Sequence, residues 1–437
     1  MVPPGARRVA GAASESPVPP PGSPGYGNHD QVRTVRPDDG SRWRWLTDRL
    51  VQSRPAVLGD EAGHRHASWL ELFFDVVFVF ALAAVAGRLG HDPTPRLTSV
   101  LAAAGIFVVV EWAWVGHVYY DTRYDPDDSV HRLMMLGALL GAGAITLGVD
   151  EVPKGLLFPV GYLIVRGVLL LLYLRARPTS EGARMVTTVY LIGFGAGWLI
   201  WLVSLFVPSH LRPWFWVVGI CVDLATPWVG YRRLNRFPVD ARHLPERIGQ
   251  FTIIVLGSSV ADLLGAIPRY PGTIMILYAA LAFVVPACIW WIYTAFVGTG
   301  VGVDRLKAGH AYSYIHTPLL GALLLLGWAL GQTVRVIDSD ATRMSIELRL
   351  VLAGSLFVWM GCELALRALV ASISGERWAV AAYGVTSVGL VVFLVPSPAL
   401  LLALLAAAML GYAVLRTREL NRLSREHAHT GASPGRS

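Results

Sequence analysis

The stretch WLELFFDVVFVFALAAVAGRL, Trp69 to Leu89, decides the class of this chain. It runs about twenty residues with almost only apolar side chains, the length that crosses a bilayer core, yet it carries Glu71 and Asp75. An ionised acid near the centre of such a span costs on the order of 2.5 to 3.5 kcal/mol, so each acid needs a reason. Ser68-x-x-Glu71 has the spacing of a capping box, which accounts for Glu71 as a helix start. Asp75 lies one turn further in, on the same face, too deep to cap anything, and reads as a functional or ion-paired buried acid.

Outward from this span the pattern repeats. The 437 residues are 54% hydrophobic and 15% charged, with positive mean hydropathy, far from the quarter charged that is usual in soluble domains. Further apolar runs near 97–119, 129–149, 154–174, 184–207, 212–230, 246–266, 273–298, 310–331, 345–367, 377–394 and 397–415 make twelve spans, separated by turn and charge clusters such as DPDD at 125–128 and VPSP at 395–398. The reading is an all-α polytopic membrane protein, with the transmembrane helical domain at 67–415. Residues 1–66 are a Pro/Gly-rich, basic, disordered tail without a signal peptide, with a candidate interfacial helix at 41–52, and 416–437 form a second basic tail. Cys221, Cys288 and Cys362 all fall in apolar runs, so no disulfide framework is expected.

Charge distribution orients the spans. Apart from Lys154 and Lys307 the basic residues are arginines, and with the N-terminus cytoplasmic the inward loops hold fourteen of them against seven outward (Arg88, Arg96, Lys154, Arg212, Arg269, Arg335 and Arg343). That bias predicts both termini in the cytoplasm, in a multi-pass membrane protein. Weak internal matches suggest two parallel six-helix repeats: Glu71 with Glu246, Trp112 and Trp114 with Trp290 and Trp291, and Leu-Gly-Ala-Leu-Leu at both 136–140 and 320–324.

Few ionisable residues lie deep: Asp75, Glu111, Arg166, Asp223 and His316, with Glu363 shallower. Counted from the presumed cytoplasmic ends, the first five share a layer about 9 to 12 Å deep. They are the candidates for an ion or solute pathway or for buried ion pairs, with Arg166 as the expected hub and first partner of Asp75. The alternative is that these pairs only fix helix packing, and His316 alone reads as a hydrogen-bonding packing residue. No zinc, nucleophile-elbow, phosphate-loop or dinucleotide motif is present, so neither an enzyme, a metal site nor a cofactor is expected. Without a basic folded face no nucleic-acid partner is expected either. The expected partners are the lipid bilayer and an unidentified small solute or ion, and the sequence leaves the oligomeric state open.

Six blocks in order resemble the bacterial low temperature requirement protein A family. They are ELFFDVVFVFAL (71–82), YYDTRYDPDDSVHRLMML (119–136) with Asp127, Asp128 and Arg132, YLIVRGVLLLLYLRA (162–176) with Arg166, WFWVVGICVDLATP (214–227) with Asp223, LPERIGQFTIIVLGSS (244–259) with Glu246 and Arg247, and AYSYIHTPLLG (311–321) with His316. The resemblance implies an integral membrane protein linked to bacterial growth in the cold. It places Glu71, Asp127, Asp128, Arg132, Glu246 and Arg247 in cytoplasmic-face motifs and supplies no substrate or reaction. One departure stands out: Ser258 follows Leu256-Gly257 where the family pattern has Glu. Two functions follow as expectations, a proton- or ion-coupled permease with a buried acid/arginine network, or a non-transporting membrane protein that supports envelope integrity or signalling in the cold.

Overall fold

The computed structural model describes residues 56–57, 68–125, 128–236, 243–297, 306–370 and 375–430. The candidate interfacial helix at 41–52 and Asp127 lie outside them. Apart from a two-residue antiparallel pairing of Ala56–Val57 with Tyr124–Asp125, the regular structure among these residues is helical. Twelve long helices run in order: α1 (Trp69–Gly87), α2 (Leu97–Asp121), α3 (Ser129–Gly148), α4 (Leu157–Ala176), α5 (Glu181–Ser204), α6 (Arg212–Val229), α7 (His243–Gly265), α8 (Thr273–Val297), α9 (Leu306–Asp338), α10 (Ile346–Val370), α11 (Gly375–Leu394) and α12 (Pro398–Thr430).

Eleven of the twelve are long and apolar enough to cross a membrane, α6 being the exception. Arg212 and Asp223 dilute its hydropathy, but its packing accounts for them. Gly193 of α5 faces Thr226, Gly197 faces Asp223, Trp201 faces Gly219, and the Trp216 indole donates to Ser204 Oγ at 2.9 Å. These pairs advance in opposite directions along the two chains, so α6 lies antiparallel against α5 over most of its length. Small residues on α5 let the two backbones approach closely.

Local chemistry sets the ends of α1. Glu71 N–H donates to Ser68 Oγ and Ser68 N–H to Glu71 Oε2, which closes the capping box. At the other end Gly90, at φ +64°, turns the chain in a conformation that side chains with a Cβ resist. Its carbonyl accepts from Trp328 Nε1 and Gln332 Nε2 of α9, at 2.8 and 2.9 Å. The exterior stays apolar, with Trp69, Phe80, Ile192, Trp214 and Ile274 all well exposed. In water such a surface would aggregate; in lipid it is the solvated face.

Neighbour pairings in the first six helices recur in the second six. Helix α1 packs on α2 and α3, α3 on α4, α4 on α5 and α5 on α6; likewise α7 packs on α8 and α9, α9 on α10, α10 on α11 and α11 on α12. The halves differ in that α2 touches α4, whereas α8 turns to α12. They meet where α1 lies against α7 and where α9 lies against α1 and α2.

Candidate functional site

The sequence places its deep charges in one layer around Arg166, but the fold distributes them among separate groups. Arg166 does not reach Asp75. Its Nη2 pairs with Asp223 Oδ2 at 2.7 Å, and the Tyr162 hydroxyl, one turn before it on α4, donates to the same carboxylate at 2.8 Å. The guanidinium lies 4.2 Å from the Phe194 ring centre, against Gly116 of α2, where a methyl group would come within 2.7 Å of Nη1. The missing side chain at Gly116 is therefore the space that Arg166 occupies.

Asp75 is partnered by Arg247, which the sequence places in a cytoplasmic-face motif and which is fully buried. Arg247 Nη2 and the Trp114 indole both reach Asp75 Oδ1, at 2.8 and 2.7 Å. Arg247 Nη1 pairs with Glu71 Oε2 at 2.8 Å, and His243 Nε2 stands 3.7 Å from the same oxygen. Glu71 is thus more than a cap: a helix-start acid and an acid one turn deeper converge on a single arginine, because four residues of helix bring both to one face. Trp114 stacks on Phe251 with ring centres 3.7 Å apart, so the cluster joins α1, α2 and α7. Two acids share one arginine. Both acids come from α1, and the arginine and the imidazole that face them come from α7.

Glu111 is different again. It is buried on α2, and its partner is the Thr317 hydroxyl of α9, at 3.1 and 3.2 Å from its two oxygens. His316 is satisfied at both nitrogens, Nδ1 with the Tyr312 carbonyl at 2.7 Å and Nε2 with the Tyr293 hydroxyl at 3.0 Å, which suits a neutral packing histidine. Glu363 belongs to a further network that sequence reasoning missed. Arg416 joins it at 3.0 Å, Tyr412 donates to it at 3.2 Å and Arg367 pairs with it, while Glu419 accepts from Arg416 and meets Arg377. Helix α12 runs on to Thr430, so Arg416 and Glu419 lie buried within it. Each half of the molecule therefore holds a Tyr-x-x-x-Arg turn clamping an acid. The partners exchange places between halves: the arginine is on α4 and the acid on α6 in the first, the acid on α10 and the arginine on α12 in the second.

The motif residues at the helix ends serve local order. Asp128 caps α3 through the His131 N–H at 2.8 Å and pairs with Arg175 at 2.6 Å. Burial pushes its carboxyl up, but Arg175 and the His131 and Val130 N–H groups hold it below the usual carboxylate range. Arg132 is exposed, and Glu246 accepts from Gln250 at 3.2 Å. Ser258 spends its hydroxyl on the Val255 carbonyl of its own helix, so no carried-over acid role attaches to it. Among the described residues no three His, Cys, Asp or Glu side chains converge as a metal ion would require.

The ordered blocks and the buried Asp75–Arg247 and Arg166–Asp223 pairs coincide with a family match over residues 66–414, to the Bacterial low temperature requirement A protein (LtrA). The chain belongs to the LtrA family. It is also similar to an uncharacterized protein, RA0937, of Rhizobium meliloti (strain 1021), at 26% identity over 283 residues covering 59% of this chain and 67% of that one. Membership of LtrA fits the helical membrane architecture, and it leaves the chemistry to be argued from the side chains.

Proposed function

We propose that this LtrA-family protein is a proton- or ion-coupled permease and not an enzyme, seated in the bacterial plasma membrane with both termini cytoplasmic. The observation that carries this reading is the buried cluster in which Asp75 and Glu71 share Arg247 beside His243, inside helices long and apolar enough to cross a membrane. Ionisable groups buried inside a membrane bundle are the kind that line ion pathways and relay protons. Such a group is suited to exchange its proton whenever one side of the membrane gains access to it. The arginine-rich inward loops and the even number of long helices support the orientation.

The balanced, closed Arg166–Asp223 pair favours a second reading, a non-transporting membrane protein whose buried pairs only hold the bundle, supporting envelope integrity or signalling in the cold. Proteoliposomes given a pH gradient separate the two. A permease collapses the gradient in the presence of its solute, and Asp75→Asn, which leaves Arg247 neutralised by Glu71, abolishes that collapse while insertion is retained. Vesicles that hold the gradient like protein-free ones, or an Asp75→Asn protein as active as the parent, would overturn the permease reading.

A further inference from the structure

A cavity of about 340 Å³ lies between α1, α2, α9 and α10, a volume in the range of small-molecule sites. Its walls are aliphatic, aromatic or glycine at Val85, Phe107, Gly321, Gly354 and Val358. Val358, 44% exposed, marks the side on which it opens toward the apolar flank of the bundle. Two hydroxyls line it. Ser355 spends its own on the Val351 carbonyl, whereas Thr317 hydrogen-bonds Glu111 just beyond the wall.

Glu111 is 1% exposed, and no ion pair joins it to a described residue; Tyr314 of α9 is the titratable side chain coupled to it. The lining residues of α1 and α10 include no titratable group. An acid buried without a basic neighbour persists by holding a proton, and it exchanges that proton only for a cation. A calcium or magnesium ion asks for six or more oxygen ligands, and this end of the cavity offers the Thr317 hydroxyl backed by the Glu111 carboxyl. Apolar walls around that hydroxyl and the acid behind it complement a monocation with donors at one end and a hydrocarbon body at the other.

We infer that this cavity binds a small lipophilic amine, its ammonium directed to Glu111 through Thr317 and its alkyl or aryl body against Phe107 and Gly354. The inference rests on the permease reading only for its consequence, that the amine is the exchanged solute. The proton balance is explicit: an alkylammonium ion from water meets the Glu111 carboxylic acid, the carboxylate–ammonium pair forms, and one proton returns to solution. Thr317 relays the change, donating to the carboxylate and free to accept from the ammonium.

The test is titration of the purified full-length protein, in weakly buffered detergent near neutral pH, with n-hexylammonium chloride. About one proton released per amine bound is expected, with none for n-hexanol or sodium chloride. Glu111→Gln should abolish the release and weaken binding about tenfold or more, as loss of one member of a buried charge pair does. Gly354→Leu should block binding with the acid intact, since a Cβ there meets nothing within 4 Å and the added side chain fills the void. Release that persists in Glu111→Gln, hexanol competing as well as the amine (the behaviour of a lipid-tail groove), or Gly354→Leu binding like the parent would each overturn the site. Proton-releasing binding without amine flux into vesicles would sink the permease and keep the site; proton-coupled flux of other solutes, with no amine binding, would do the reverse.

Discussion

Arg166–Asp223 and the Asp75–Arg247–Glu71 cluster are both buried, yet in the first one arginine meets one acid and in the second one arginine is shared by two. Arg166 and Asp223, with Tyr162 donating a further hydrogen bond, form a closed pair. Arg247 divides its nitrogens between Asp75 and Glu71, with His243 beside them, so loss of either acid leaves the arginine a partner. Burial and charge identify a candidate site, and the way partners are shared separates a two-member clamp from a network that can rearrange.

Removing one member of the balanced pair should have the largest effect on stability. Arg166→Ala leaves Asp223 buried without its cation, and a loss of about 3 to 5 kcal/mol is expected, measured as the fall in thermal midpoint in detergent. The isosteric apolar pair Arg166→Met with Asp223→Leu should recover most of it, because a buried ion pair is itself of little net worth; a double variant as weak as the single would mean the clamp does more than neutralise. Arg247→Ala sharpens the contrast, since it removes one cation from two acids at once. Its loss should match that of Arg166→Ala in the same measurement, whereas a loss within about 1 kcal/mol would mean that other contacts hold the cluster.

An intermediate effect is expected outside the membrane. Asp128→Ala removes the cap of α3 and the Arg175 pair, at a cost of about 1 to 2 kcal/mol. Because folding lowers the Asp128 pKa, its contribution is complete above about pH 4 and fades as pH falls through the lower folded value. The difference between parent and variant should therefore shrink below that pH. The smallest stability change, within about 1 kcal/mol, is expected for Glu111→Gln, because it replaces an acid with no ion pair to a described residue by a neutral group of similar shape. A large loss there would return Glu111 to a packing role.

Much of the architecture was legible in the sequence: hydropathy over twenty-residue windows located the helices, and Ser68-x-x-Glu71 set the start of α1. The partners were not. Depth counted along separate spans says nothing about which helix lies beside which, so Asp75 and Arg166, at one level, were matched although α7 brings Arg247 to Asp75 instead. Arg247 follows Glu246 at a helix start, where an arginine looks like a solvated end residue, and only the packing of α1 against α7 buries it. Arg416 and Glu419 were missed because their span was ended at 415, while α12 continues past them. Glu111 was found by depth alone. The cavity beside it is assembled from four helices and has no signal in any one of them.

Decay of an imposed pH gradient in proteoliposomes, compared between the parent and Asp75→Asn at equal reconstitution, tests the role of Asp75 most directly. The parent should collapse the gradient in the presence of its solute, and Asp75→Asn should hold it like protein-free vesicles. Equal collapse by the parent and Asp75→Asn would contradict it.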